Sequence, residues 1–273
     1  MEQRVLARDR SSQVPLKAKS ICRLFAYSCH MCGRYALAAL KEEIIGDFGI
    51  SHLTPVAQER SLPSDWNIAP TKEIYLIKGV PVTGERTLDI ASWGLIAPWS
   101  KSESEALRSQ SMAINARVET VHEKPTFRDS FKTRRCLVPA SGYYEWATEL
   151  GEYPRKQPIF ISPKEGRFLA FAGIYNFWRS TAGDRQSVAI ITRDAVHDLA
   201  KVHNRMPLFL PADRWSRWLD LDTSLPEVMD LMRVPEPDEN LRFWPVASKV
   251  NSIRNNGPEL ITPIHLGESE TLF

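Results

Sequence analysis

The chain has 273 residues and a mass of 31.1 kDa, with 43% hydrophobic and 25% charged residues. That balance excludes wholesale disorder, and no apolar run approaches the roughly eighteen residues a membrane-spanning helix needs. The formal charge of +2 is uneven: the first thirty residues carry +4 and the remainder −2, so a polyanion-binding surface must come from local arrangement, not bulk charge. Four cysteines (Cys22, Cys29, Cys32 and Cys136), three of them closely spaced, cannot staple a domain this large, which points to a reducing compartment.

Residues 1–30 are basic and show no sustained period. Arg23 interrupts their only apolar run, Ile21 to Tyr27, so a secretory signal fits poorly. They read as an N-terminal extension, from an upstream start, a propeptide or a targeting leader, ahead of a second methionine, Met31. Residues 31–266 then form one domain and residues 267–273 a tail. Ala38 to Phe48 has a helical period, with Leu40, Ile44, Ile45 and Phe48 on one stripe. Strands are expected at Glu73–Val80, Thr87–Leu95, Arg134–Tyr144, Gln157–Ser162, Phe168–Phe177 and Ser187–Thr192. Short helices are expected at Lys124–Lys132, Asp194–Val202 and Ala212–Leu219, the last with Trp215, Trp218 and Leu219 on one face. Strands and helices do not alternate regularly, which argues against a doubly wound parallel sheet. The pattern indicates a single α+β domain with a mostly antiparallel, barrel-like sheet and peripheral short helices.

Cys22, Cys29, His30 and Cys32 form a C-x6-C-H-x-C cluster, but structural zinc sites favour C-x2–4-C knuckles, so no metal is expected. Cys32 is a different case if the chain starts at Met31 and that methionine is trimmed. An N-terminal cysteine carries an α-amine of reference pKa about 7.7–8.0 next to a thiol, so roughly a tenth of the amine is neutral at pH 7. Such a pair can form an imine with an aldehyde and close it to a thiazolidine. The plain structural reading, a small buried thiol, stands beside this one. Ser111-Met-Ala-Ile-Asn-Ala-Arg-Val-Glu119 puts Asn115 and Arg117 on one face if extended. Pro139-Ala-Ser-Gly-Tyr-Tyr-Glu-Trp146 sets Glu145 among aromatics, where desolvation would raise its pKa and suit it to proton transfer. His203-Asn-Arg-Met-Pro207 places a histidine beside Arg205, and two Pro-containing turns, Trp66–Thr71 and Trp93–Trp99, are loaded with tryptophan. Each segment also has a structural reading, as core aromatic, satisfied histidine or paired carboxylate.

Taken together and in order, Met31-Cys-Gly-Arg-Tyr35, Asn67-Ile-Ala-Pro-Thr71, Trp93-Gly-Leu, Ile114-Asn-Ala-Arg-Val-Glu-Thr120, Gly142-Tyr-Tyr-Glu-Trp146, His203-Asn-Arg-Met-Pro207 and Asn256-Gly-Pro-Glu-Leu-Ile261 resemble the SOS response-associated peptidase family, the abasic-site processing proteins. The resemblance runs from Met31 to about Pro263. It implies a domain that grips single-stranded DNA and crosslinks itself to abasic sites, with no metal or organic cofactor needed and no membrane partner. The family's active-site residues correspond to Cys32, Asn115, Glu145 and His203. Its DNA contacts correspond to Arg34 and Arg117, then to Pro70, Phe127, Thr192 and Arg205, with Trp99 as a wedge where some relatives have two adjacent tryptophans. A cytoplasmic, nucleoid-associated monomer is the implied form. The leader departs from the family pattern: with it attached, Cys32 has an amide nitrogen. Initiation at Met31, or self-cleavage of Met31–Cys32 by the Cys32 thiol with Glu145 and His203 assisting, would free the amine. Two other readings stay open: a thiol peptidase acting in trans through Cys32, His203 and Glu145, and a non-covalent single-stranded DNA-binding module.

Overall fold

Most of the apolar, β-branched runs do form strands, and their order in space explains how five of them close on themselves. The computed structural model describes residues 32–148, 153–180 and 183–266; the extension 1–30 with its Cys22–His30 cluster, Met31 and the tail 267–273 lie outside the described residues. The first half runs β1 (Tyr35–Leu37), α1 (Lys41–Asp47), β2 (His52–Leu53), α2 (Pro55–Glu59), β3 (Asp65–Ile68), β4 (Glu73–Gly79), β5 (Arg86–Trp93), α3 (Glu103–Met112), β6 (Asn115–Arg117) and α4 (Arg128–Thr133). The second runs β7 (Arg135–Ala140), β8 (Gly142–Trp146), β9 (Pro158–Pro163), β10 (Leu169–Trp178), β11 (Arg185–Asp194), α5 (His197–Val202), β12 (Arg205–Pro207), α6 (Ala212–Leu219), α7 (Leu225–Leu231) and β13 (Leu241–Pro245). Short 3₁₀ turns follow at Ser248–Asn251 and Pro258–Ile261.

Strands β5, β4, β7, β10 and β11 are antiparallel neighbours in that order, and β11 returns to β5 to complete a ring. An odd ring cannot alternate direction all the way round, so one pairing must be parallel. It is β11 with β5, where Ser187 faces Ser92 and Val188 faces Trp93. Beyond the ring, β11 also takes β6 in parallel, Ile190 opposite Asn115, and β12 antiparallel, Thr192 opposite Pro207. A second, antiparallel sheet runs β13-β9-β8-β1-β3. An edge-to-face aromatic chain ties the sheets together: Tyr35 of β1 meets Trp93 at 5.4 Å and Phe171 at 5.9 Å, and Phe171 meets Tyr143 of β8 at 6.0 Å. Such pairs each add about 0.5–1.5 kcal/mol beyond burial, and they fix the strands that carry the site.

Several boundaries differ from the sequence expectation. The single strand expected over Arg134–Tyr144 is two, β7 in the barrel and β8 in the second sheet, broken at Ser141, whose N–H donates to Ala36 O at 2.7 Å. Both halves are apolar, so hydrophobic pattern cannot mark the crossing. Gly142 makes it possible: a Cβ there would lie 2.4 Å from the Phe160 ring and 2.5 Å from Ile161 O. Leu40, expected on the buried stripe of α1, is exposed because it precedes the helix as its N-cap, with its N–H held by Glu43 Oε2 at 2.9 Å. The helix expected from Lys124 starts at Arg128, since Pro125 lacks an N–H and disfavours helical backbone at Lys124. The helix expected from Asp194 starts at His197, because Asp194 stays in β11 opposite Arg205. α6 has the expected bounds, with Trp218 buried and its Nε1–H donating to Cys136 O at 2.9 Å. Among the described residues, Cys32 and Cys136 are free, buried thiols, no acid, His or Cys group is placed to hold a metal, and no helix is long and apolar enough to cross a membrane.

Candidate active site

Cys32 lies three residues before β1, and β1 pairs with β8 through Tyr35–Tyr143 and Ala36–Gly142. The antiparallel run continues as Tyr144 N–H to Arg34 O at 3.0 Å, which brings Glu145 alongside Cys32. Alternation along β8 puts Tyr143 and Glu145 on one face, Tyr143 in the main core, while Tyr144 packs in a separate cluster with Phe160. The Cys32 N–H donates to Glu145 Oε1 at 2.8 Å, and the same carboxyl acts on the Cys32 thiol, helping to keep it neutral. Asn115, opening β6, donates Nδ2–H to Cys32 O at 3.4 Å. His203, just past α5, sits with Nδ1 3.9 Å from Glu145 Oε2. Four residues from four separate elements therefore converge on one buried point.

Burial sets the electrostatics. Cys32 and Glu145 are each 4% exposed. Desolvation pushes the Glu145 carboxyl up to about 8 although hydrogen bonds from Cys32 and Trp146 oppose it. Burial, reinforced by Glu145, raises the Cys32 thiol well above its ordinary range, so it is a neutral thiol. Burial lowers His203, leaving a neutral imidazole at pH 7. The Arg205 backbone N–H donates to His203 Nδ1 at 3.1 Å, shorter than the 3.4 Å from that nitrogen to Arg205 O, which favours the ring proton on Nε2. Cys32 itself has φ +50°, the left-handed region in which a non-glycine residue stores about 1–3 kcal/mol.

The residues expected to touch DNA fall into two groups. Trp99, 55% exposed in the loop after β5, and Arg117, exposed at the end of β6 two residues from Asn115, present free surfaces. Pro70 is half-buried in the β3–β4 turn. Thr192, Arg205 and Phe127 are buried, Phe127 at the start of α4 in the main core. Arg205 bonds Glu119 Oε1 at 2.6 Å, Asp194 Oδ1 at 2.5 Å and Thr192 O at 2.8 Å; burial disfavours its charge, but Glu119 and Asp194 outweigh that and hold its pKa above the ordinary value. Arg34 is partly buried, donating to Asn67 Oδ1 at 2.7 Å and Val250 O at 2.8 Å, with its guanidinium 5.7 Å from the Trp146 ring centroid.

Residues 31–253 match the family described as SOS response associated peptidase (SRAP). The chain belongs to the SRAP family. Bacillus subtilis "Abasic site processing protein YoqW" is 33% identical over 232 residues, 85% of this chain and 99% of that protein. "Abasic site processing protein HMCES" of Gallus gallus is 36% identical over 208 residues, 68% of this chain and 60% of the relative. Among solved structures, a Bacteroides thetaiotaomicron protein covers 86% of the chain with a TM-score of 0.74 at 24% identity, a likeness of fold. A Bordetella bronchiseptica protein covers 79% with a TM-score of 0.65 at 26% identity.

One residue of this SRAP domain that side-chain chemistry alone did not single out is Asn67. It is fully buried; its Oδ1 accepts from Arg34 and its Nδ2 reaches Val250 O at 3.3 Å, Ser252 O at 3.0 Å and Asn255 O at 2.8 Å. Its place in the ordered Asn67-Ile-Ala-Pro-Thr71 segment was the available signal. Glu119 and Asp194, the partners of Arg205, carried no signal at all, because surface acids are common.

Proposed function

We propose that this chain processes abasic sites in single-stranded DNA by condensing the Cys32 α-amine and thiol with the sugar aldehyde. The observation that carries the reading is the buried 2.8 Å contact between Cys32 N and Glu145 Oε1. A carboxyl whose pKa is raised to about 8 can both take and return a proton near neutral pH. With the α-amine free and neutral, its nitrogen adds to C1′ as Glu145 passes one N–H proton to the carbonyl oxygen, giving a carbinolamine; Glu145 then passes the second N–H proton to that hydroxyl, which leaves as water and gives the imine. The thiol then adds across the C=N bond, its sulfur to carbon and its proton to nitrogen. One water is lost overall. Asn115 holds the Cys32 carbonyl, which fixes the direction of the Cα–N bond, and His203 offers its Nε2–H as a neutral donor to the opened sugar.

The amine must first be released from Met31. The Cys32 thiol attacks the Met31 carbonyl, the C–N bond breaks as a C–S bond forms, and water hydrolyses the thioester. The positive φ of Cys32 supports this step, because a chain that begins at Cys32 has no φ and the stored strain is relieved. The cleavage removes Met31 and leaves Cys32 as the first residue of the domain proposed for residues 31–266.

The order of groups counts against a thiol peptidase acting in trans. Such an enzyme needs the histidine between thiol and carboxylate, and a thiolate within reach of neutral pH. Here the carboxyl lies between Cys32 and His203, and the thiol is raised, not lowered. The test is an oligonucleotide whose abasic aldehyde has been reduced to an alcohol. It should bind like the unreduced strand and give no adduct stable to denaturant; an adduct of undiminished yield would refute aldehyde condensation.

A further inference from the structure

The segment after β13, residues 248–256, is held by a dense set of hydrogen bonds. Asn67 spends its carboxamide on three carbonyls of this segment, and Arg34 adds a fourth bond to Val250 O. Trp146 Nε1–H donates to Asn251 Oδ1 at 2.6 Å, Asn255 Nδ2–H to Lys249 O at 2.7 Å, and Trp66 N–H to Asn256 Oδ1 at 2.8 Å. The loop is thus anchored to Arg34, two positions from Cys32, and to Trp146, which follows Glu145 and faces the other side of β8 with Tyr144. What it holds out to solvent is Lys249, Ile253 at 59% exposure, and Arg254. Neither Lys249 nor Arg254 has an ion-pair partner among the described residues, whereas Arg60, Arg167, Arg185 and Arg217 on other faces are paired with glutamates. The carboxylate nearest in sequence, Glu259, folds back over Gly257.

Rigid, unpaired cations around an apolar tip, next to a half-buried tryptophan, suit a chain that alternates phosphates and bases. We propose that residues 248–256 form one wall of the nucleic-acid groove, with Lys249 and Arg254 on backbone phosphates flanking the abasic nucleotide and Ile253 against a neighbouring base. This rests on the abasic-site reading above and extends it to residues outside the quartet. Asn67 is the positioning residue for that wall.

The test uses the purified chain and a single strand carrying a tetrahydrofuran abasic analogue, which has no aldehyde and so reports binding without crosslinking. The double variant Lys249→Ala/Arg254→Ala should bind about tenfold more weakly at moderate salt, regardless of base sequence. The slope of log affinity against log salt should fall by about 1.4, at roughly 0.7 per single-strand phosphate contact. A control that removes two charges elsewhere, Lys164→Ala/Arg167→Ala, should leave the slope unchanged. A double variant with the parent's affinity and slope, when the parent binds and crosslinks, overturns the wall. A parent chain that neither binds the analogue nor crosslinks overturns the abasic-site reading itself, and the wall with it.

Discussion

Glu145→Gln should slow adduct formation by about 10²–10⁴-fold, the usual contribution of a positioned acid–base group, while making the uncleaved chain more stable. The gain in stability depends on pH, and its sign follows from burial. In the chain that retains Met31, desolvation holds the folded-state pKa of Glu145 at about 8, above an ordinary value near 4.5. Between those values the folded state binds more protons than the unfolded one. The neutral carboxyl's contribution is therefore complete below about 4.5 and is lost as pH rises through 8. Full ionisation of this group costs on the order of 5 kcal/mol. Glutamine keeps the acceptor oxygen for Cys32 N–H and cannot ionise. Thermal melts of both chains from pH 5 to 9 should converge at the acid end and diverge at the alkaline end, with the variant melting higher. Melting curves that stay parallel across the range would mean that Glu145 is not held protonated by burial.

Cys32→Ser separates the two nucleophiles. Prepared from the full chain, the serine variant should keep residues 1–31, because a hydroxyl is a far weaker nucleophile than a thiol toward the preceding carbonyl. Prepared with translation starting at Met31, it should expose an α-amine and form the imine, but without sulfur to close the ring the adduct should hydrolyse. Cyanoborohydride should then trap a covalent product in the variant at a yield comparable to the parent chain's thiazolidine. A serine variant that gives a stable adduct without reductant would remove the thiol from the mechanism.

How far the site could be read in advance depended on the kind of information each residue carries. Glu145 was legible because a lone acid in a run of aromatics has few structural uses, and it does lie where burial raises its pKa. Asn115 and His203 stood out only as members of ordered motifs; that they reach Cys32 and Glu145 follows from β6 pairing with β11 and from the end of α5, neither of which local pattern encodes. The order in which Cys32, Glu145 and His203 contact one another was likewise invisible, and it is this order that weighs against the peptidase reading. The barrel class was legible in the strand runs. The crossing at Ser141 was not, because Arg135–Ala140 and Gly142–Trp146 are equally apolar and differ only in which sheet accepts them. α3 was missed because its sequence is largely polar: of its side chains, only Ala106 and Gln110 are buried.

The most direct test of the central claim is the intact mass of the purified chain before and after mixing with single-stranded DNA bearing one abasic site. The account predicts a chain that begins at Cys32 and gains the mass of the DNA less one water. A chain that begins at Cys32, with its thiol and amine free, and gains no mass would contradict it.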